Sequence, residues 1–457
     1  MTDAASGASA AGQPDLTRLE RGRTWRNWGR SVTAHPRFAA AASSVDEVRQ
    51  AVLFARERGL PVKPIGAGHS FSPIAATGGV QLDIAAIDGV LDIERLDDGG
   101  ALVTFGAGTN IFQLPSLLAP YGLAMQNLGD IDRQTLAGAI STGTHGTGLR
   151  FGGLATRVRG AKLVTADGAL LTVSATENAD LLPAVALGLG ALGILVEVTL
   201  ELVPAFALRA VERREPLAQV LDEWEARIED ADHFEFYTWP HADGVQTKTN
   251  TRLPADAPLE PLSPVKGWVD DVLMSNSLYR GLLGLGAAIP ATVPTINRAA
   301  AALVAAREFS DHSQAVFTSP RTFRFREMEY AVPVEAIPDV VRAVHRLIDQ
   351  KGWRISMPIE ARAAAADDLW LSTAHGRRTG YVAIHRFASE RLGDYFREVE
   401  PIFIAHDGRP HWGKMHYRSA ASLADAYPRF EDFLAVRDRL DPDRVFSNGY
   451  LRQVLGT

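Results

Sequence analysis

The sequence predicts an α+β protein of two lobes, and three features carry that prediction. At 457 residues the chain exceeds the size at which a single hydrophobic core usually stops growing. Up to about residue 205 it reads as short apolar β-like pieces broken by polar and glycine turns, without the regular alternation of a βαβ array. Beyond that point strand-like runs alternate with two helices, the pattern of an antiparallel sheet carrying helices on one face.

Met1 to Pro14 is rich in Ala, Ser and Gly, and residues 1–20 are expected to form a disordered tail. An aromatic, basic segment follows, Thr24-Trp25-Arg26-Asn27-Trp28-Gly29-Arg30. Ser44-Val45-Asp46-Glu47 has the form of a capping box, Val45, Val48, Val52 and Ala55 continue a helical stripe, and Gly59 ends it. Pro61 to Ile65 is extended and runs into a glycine turn. Short β-like pieces come next at Val80–Ile84, Val90–Ile93 and Leu102–Phe105, then a helix through Asn110 to Leu118. Leu136 to Ile140 is small and apolar and enters a second glycine loop. Ala161–Thr165 and Ala169–Val173 flank Asp167-Gly168, a hairpin signal, and Ile194 to Val203 is β-rich. Pro204 to Leu208 marks a boundary. Past it, strands are expected at Phe234–Trp239, Thr322–Tyr330, Trp353–Ile359 and Tyr381–Phe387, with helices at Leu217–Ile228 and Val334–Lys351.

Composition excludes several classes of function. A net charge of −7 without a Lys/Arg block gives no electrostatic reason to bind nucleic acid. Zero cysteines rules out disulfides, thiolate zinc sites, iron–sulfur clusters and cysteine nucleophiles. No basic, apolar leader opens the chain, so no signal peptide is expected. The uncharged runs Leu181–Val196 and Gly281–Asn297 contain prolines and are too short to span a bilayer, so core or interface helices are expected. No internal repeat is evident.

Two small-residue loops carry the chemistry of a cofactor cradle. In Pro64-Ile65-Gly66-Ala67-Gly68-His69-Ser70-Phe71 the glycines allow a sharp turn whose N–H groups favour an anion, with an imidazole beside it. Ser141-Thr142-Gly143-Thr144-His145-Gly146-Thr147-Gly148 has the same character. Neither is a dinucleotide fingerprint, because Phe71 stands where a third glycine would, and no phosphate-loop or nucleophile-elbow motif occurs. If Ser356 to Arg362 is extended, Glu360 and Arg362 share one face, either as a surface pair or as a fixed carboxylate and guanidinium facing a polar substrate. His385 lies on the face of Tyr381, Ala383 and Phe387. In Pro410-His411-Trp412-Gly413-Lys414-Met415-His416 the histidine spacing suits neither a helix nor a strand face, so no metal site is expected.

Four motifs in order, G-A-G-H-S-F at 66–71, G-T-H-G-T-G at 143–148, E-A-R at 360–362 and H-W-G-K at 411–414, together resemble the flavin oxidoreductases of the vanillyl-alcohol oxidase superfamily. The resemblance is to its sugar-acid lactone branch, with alditol oxidases close by, and it runs from Trp25 to Leu451. It implies a PCMH-type FAD-binding domain over 21–205, a cap or substrate domain over 206–410 with an antiparallel sheet and helices, and a C-terminal segment, 411–457, returning to the flavin. By resemblance Pro64, Ile65, Gly66, Ala67, Gly68, Ser70, Ser141, Thr142, Gly143, His145, Gly146, Ile194 and Asn448 contact FAD. His69 matches the position of a covalent bond to the flavin. Ala137, beside Gly138, is matched to the small residue that governs oxygen access to the flavin. Glu360 matches a substrate-positioning carboxylate and Arg362 a flavin-facing guanidinium. His385 and Lys414 match site residues of the alditol oxidases, and His385 or Glu360 is expected to take the hydroxyl proton.

The activity implied is oxidation of an aldono-1,4-lactone at C2 by hydride transfer to flavin N5, giving an ascorbate-type product. The alternative is an alditol oxidase acting at C1; a rival of another class is a flavin-free binding protein that keeps the fold. The acceptor is O2 or another redox partner, and the expected location is cytoplasmic, with membrane contact at most peripheral.

Overall fold

The computed structural model describes residues 19–254, 256–303, 306–391 and 393–457. Residues 1–18 of the expected tail lie outside them, and the tail does not reach residue 20: Glu20 pairs with Ala39 at the edge of a sheet. That sheet runs Glu20–Arg21, Phe38–Ala41, Val80–Asp83, Val62–Ile65. Its last two pairings are parallel, with the expected helix, Val45–Glu57, as the crossover, so one parallel unit forms in a region read as lacking a regular βαβ array. Ser44 caps that helix through the Glu47 N–H, while the Glu47 carboxylate accepts from the Ser43 N–H at 2.6 Å, one residue earlier than the capping box predicts. Val48, Val52 and Ala55 of the predicted stripe are fully buried.

A second sheet is antiparallel in the order Leu170–Ser174, Val158–Val164, Ile194–Pro204, Ala101–Gly106, Val90–Arg95. The Asp167-Gly168 hairpin forms as predicted. Between the two sheets sits one core that draws on residues 40–210 and also on the C-terminal side chains Trp412, Phe433, Phe446 and Leu451.

The third sheet has eight strands, all antiparallel: Arg307–His312, Ala207–Pro216, Gly244–Arg252, His233–Thr238, Ile359–Ala364, Thr379–Phe387, Phe325–Pro333 and Arg409–Pro410. The first three were not predicted. Ala-Leu-Arg-Ala-Val-Glu-Arg-Arg-Glu-Pro and Gly-Val-Gln-Thr-Lys-Thr-Asn-Thr-Arg carry polar residues on both faces, so neither shows the period of a half-buried strand. The strand predicted over Trp353–Ile359 is displaced: 353–358 is irregular and the strand is Ile359–Ala364. Two features account for it: Gly352 ends the preceding helix in a left-handed conformation, and the buried Ser356 makes a tertiary bond to the Glu390 carboxylate instead of joining a neighbouring strand. Likewise the strand expected from Thr322 begins at Phe325 and runs on to Pro333.

Side-chain alternation splits this sheet into two chemistries. Phe234, Phe236, Met328, Tyr330, Val332, Ile359, Ala361, Val382 and Ile384 form an apolar core with the helices Trp224–Asp230, Ile337–Lys351 and Tyr395–Ile404. On Ile337–Lys351 the stripe Val340, Val341, Val344 and Ile348 is fully buried, worth roughly 1.5–3 kcal/mol per side chain. The opposite face holds Glu235, Tyr237, Glu327, Glu329, Glu360, Arg362 and His385, and it roofs the large cavity described below.

The uncharged run Gly281–Asn297 lies within the helices Tyr279–Ala288 and Val293–Leu303, with Leu283 and Val293 fully buried. Among the described residues no helix is long and apolar enough to cross a membrane.

Candidate active site

Four segments distant in sequence meet at the first glycine turn. It leaves the Val62–Ile65 strand and turns at Gly68, whose φ of +68° is left-handed. The opening aromatic segment docks on it, the Trp28 N–H donating to the Gly68 carbonyl at 2.8 Å and the Asn27 amide to the Ser70 carbonyl at 2.9 Å. From the C-terminal side the Gly413 carbonyl accepts the Phe71 N–H at 2.6 Å, and the Ser72 hydroxyl donates to the Trp412 carbonyl at 2.7 Å. A Cβ on Gly413 would stand 3.3 Å from both Ser70 Oγ and Thr142 Oγ1, so the H-W-G-K motif touches both glycine loops, and a side chain there would crowd both hydroxyls.

The two loops bound one cavity of about 670 Å³. Pro64, Ile65, Gly66, Ala67, Gly68, His69, Ser70, Ala137, Ser141, Thr142 and His145 line it from below; Glu360, Arg362, His385 and Lys414 line it from above. Gly143, Gly146, Ile194 and Asn448 do not. Gly143 ends the helix Leu136–Thr142, and Ile194 is a core side chain. Asn448 donates to the carbonyls of Pro73, Ile74 and Ala76, fixing the loop behind the first turn.

The roof is a ladder of buried charges. Arg362 donates to Glu235 at 2.9 Å and also pairs with Glu360, which accepts from the Tyr237 hydroxyl at 3.1 Å. Burial raises the Glu360 carboxyl to about 7, the Arg362 cation only partly opposing it and the nearby Glu235 adding to it. Next along the sheet, Lys414 Nζ lies 2.5 Å from Glu327 and 3.7 Å from Glu329. His145 Nε2 is 3.0 Å from Glu329, and its ring stacks on Tyr381. His385 donates towards the Pro358 carbonyl at 2.8 Å and faces Glu327 at 3.6 Å. Burial alone would raise Glu327; the Lys414 ammonium and the His385 ring override it and hold the carboxyl down to about 2. Burial would likewise lower Lys414 and His385, yet the carboxylates keep both above their ordinary values.

His69 is different. Its ring stacks on Trp28 with centroids 5.1 Å apart, and burial, then the positive charges of Lys414 and Arg133, lower it to about 4. It is therefore a neutral imidazole aimed into the cavity.

Sequence reasoning missed Glu235, Tyr237, Glu327, Glu329 and Lys63. In Phe325-Arg326-Glu327-Met328-Glu329-Tyr330 the signal was there: two carboxylates at alternate positions, on one face of a strand whose other face carries Met328 and Tyr330. Lys63, fully buried in the strand before the glycine turn, donates to the carbonyls of Gly190 and Phe446, each at 3.1 Å, so it ties the C-terminal segment to the cradle. One cluster has the composition of a metal site, His145, Glu329 and His411, none of it foreseen as a set. Its members already have partners: Glu329 faces His145 and the Lys414 ammonium, and His411 Nδ1 accepts the Gly413 N–H at 3.0 Å.

The residues present fit FAD. A long, partly apolar cavity begins at backbone N–H groups of a glycine turn and ends beneath fixed cations and a carboxyl that titrates near neutrality.

Comparison with known proteins agrees. An FAD-binding domain family matches residues 36–174, and the D-arabinono-1,4-lactone oxidase family matches residues 198–454. The L-gulono-1,4-lactone dehydrogenase of Mycobacterium tuberculosis strain H37Rv is 40% identical, over 94% of this chain and 99% of its own. L-gulonolactone oxidase of Bos taurus is 31% identical over 95% and 98%, and the alditol oxidase of a Streptomyces species 31% over 85% and 89%. Among solved structures, a solvent-stable cholesterol oxidase superposes with a TM-score of 0.81 at 19% identity, covering 95% of this chain and 98% of that one, which is a likeness of fold.

Proposed function

The chain belongs to the D-arabinono-1,4-lactone oxidase family of FAD-dependent oxidoreductases, and on that footing we propose that it oxidises the C2 hydroxyl of an aldono-1,4-lactone of the L-gulono or D-arabinono type. The product is the 2-keto lactone, which enolises to an ascorbate-type compound. The observation that carries the reading is the buried Glu360–Arg362 pair facing the same cavity as both glycine loops.

Bound FAD supplies the hydride-accepting chemistry at N5. The chain's residues do the rest. Glu360, with its carboxyl near 7, accepts the proton of the substrate hydroxyl while Tyr237 and Arg362 hold it in place. Arg362 and Lys414 direct positive charge at the anion that develops as the hydride leaves the substrate. His385 was an alternative proton acceptor, but its ring nitrogens face the Pro358 carbonyl and Glu327, so its role is to orient the wall beside Glu360. Pro64 to Ser70, with Ser141, Thr142 and His145, would cradle the cofactor. In this reading residues 21–205 and 411–457 make the cofactor lobe and 206–410 the cap.

Steady-state assays with L-gulono-1,4-lactone and with xylitol test the assignment. Turnover of the lactone is the expected result; turnover of xylitol alone would transfer the protein to the alditol oxidase reading that its Streptomyces relative represents.

We also propose that His69 would be joined covalently to the flavin 8α-methyl, a role its neutral, cavity-facing imidazole suits. A ring nitrogen would replace one methyl hydrogen with loss of two protons, the two electrons released being taken up by the flavin and passed on to the enzyme's electron acceptor. The yellow colour should then stay with acid-precipitated polypeptide and be lost to the supernatant in His69→Ala. Flavin still attached in that variant would refute the link.

Ala137 lines the cavity at the start of the Leu136–Thr142 helix, and its methyl is proposed to restrict oxygen, favouring another acceptor. Oxygen-electrode rates should rise about tenfold or more in Ala137→Gly (about 1.4 kcal/mol off the barrier); an unchanged rate would count against the gate. The proposal extends to a cytoplasmic enzyme whose membrane contact is at most peripheral, through the helical run where Val265, Trp268, Leu278 and Ile289 are exposed.

A further inference from the structure

The cavity does not end at Glu360. It continues to a wall built from both lobes: Asp130 and Ile131 from the first, Arg321 and Phe323 from the loop before the Phe325–Pro333 strand, and Tyr279. Asp130 organises that loop. Its carboxylate accepts the Ser319 hydroxyl at 2.6 Å, its backbone carbonyl accepts the Ser319 N–H at 3.0 Å, and Arg321 Nη2 lies 3.1 Å from its second oxygen.

Nothing in the oxidation step uses this pair. A guanidinium carries five N–H donors in a fixed fork. Among the described residues Asp130 is the one ion-pair partner of Arg321, and no hydrogen bond to another acceptor satisfies its remaining donors, although the side chain lines the cavity and is 27% exposed. Those remaining donors are open to the cavity, where the oxygens of a ligand can accept them. No excess of cations stands on this side: Arg321, Arg362 and Lys248 face Asp130, Glu235 and Glu360, and the lining further holds Arg307 beside Glu212, together with Asp270. A donor-rich and acceptor-rich wall suits neutral vicinal hydroxyls, which donate to a carboxylate and accept from a guanidinium at once; an anion would need an excess of cations.

The position along the cavity says which hydroxyls. Arg321 interacts electrostatically with Asp130, Tyr237, Glu360 and Tyr279, whereas Glu360 also feels His385 and Glu327 of the Lys414 group. Glu360 thus stands between the redox end and the Arg321 wall. We propose that Arg321 and Asp130 form a subsite for the exocyclic diol chain of the sugar lactone, reading the part of the substrate distal to the reacting carbon. The proposal rests on the lactone reading above.

The test compares kcat/KM of the holoenzyme for two lactones. L-Gulono-1,4-lactone carries a two-carbon diol chain; 2-hydroxy-γ-butyrolactone keeps the reacting hydroxyl and lacks the chain. Arg321→Met should lower the ratio of the two kcat/KM values by roughly 10- to 100-fold, the loss expected for hydrogen bonds to a charged group, mostly through KM of the longer lactone. Asp130→Asn should lower it too, and Arg321→Lys, which keeps a cation opposite Asp130, by a smaller factor. The Lys variant also serves if the Met variant fails to retain flavin. A ratio within twofold of wild type in every folded variant overturns the subsite while leaving the activity intact. L-Gulonate inhibiting wild type more tightly than the lactone binds, with the inhibition lost in Arg321→Met, overturns it in favour of an anion site. If wild type turns over neither lactone, the activity reading itself has failed.

Discussion

Glu360→Gln should lower the rate of cofactor reduction by the lactone about 10²- to 10⁴-fold, the usual range for losing a positioned general base. The pH profile identifies the cause. A carboxyl raised to about 7 is protonated and idle below that pH and ionised above it. The wild-type rate should therefore climb through pH 7 and level off, and the glutamine variant should be slow and flat across the same range. Stopped-flow reduction at saturating lactone between pH 5.5 and 9 makes the comparison. A limb near 7 that survives in Glu360→Gln would assign the base elsewhere. Burial is the main cause of the shift, so a solvent-facing carboxylate at this position would not show such a limb.

Lys414→Met should damage both the fold and the reaction. The ammonium is the counter-charge for two buried carboxylates 2.5 and 3.7 Å away, and removing one partner of a buried pair costs about 3–5 kcal/mol. Thermal or urea unfolding measures that loss, and reduction should slow by about 10²-fold or more because a fixed cation no longer faces the developing anion. Lys414→Met combined with Glu327→Gln separates the two effects. The double variant should regain much of the stability, since the nearer carboxylate's charge is gone and Glu329 keeps its contact with His145, but none of the rate. Recovery of the rate as well would mean that Lys414 acts only as scaffold.

The same array sets an acid limit on stability. The folded-state value of Glu327, about 2, lies below its ordinary 4.5, so its contribution is fully present above about pH 4.5 and is lost as pH falls towards 2. Lys414 is raised, so its contribution is present below its ordinary value and is lost at alkaline pH.

Much of the site was legible because its motifs are local. A glycine turn followed by a histidine, and a Glu and Arg two apart in an extended stretch, need only neighbouring residues to be recognised. Both glycine loops, Glu360, Arg362, His385 and Lys414 line one cavity in the structure. A strand rich in apolar and aromatic residues was equally legible, as in Thr379–Phe387, where His385 sits on the face expected. What escaped were strands polar on both faces, Ala207–Pro216 and Gly244–Arg252, whose pattern resembles a loop. Trp353–Ile359 failed for the opposite reason, an apolar alternation that tertiary bonds pull out of the sheet.

The sequence by itself determined the α+β class, the family, the cofactor and the face on which Glu360 and Arg362 lie, since each depends on order and period along the chain. Only the tertiary structure decided how those residues are charged and what surrounds them. Lys414 meets Glu327, Arg362 meets Glu235, and Arg321 meets Asp130 across large gaps in sequence. Burial and counter-charge, which set whether a carboxyl titrates near 2 or near 7, are properties of that assembled neighbourhood and have no local signature.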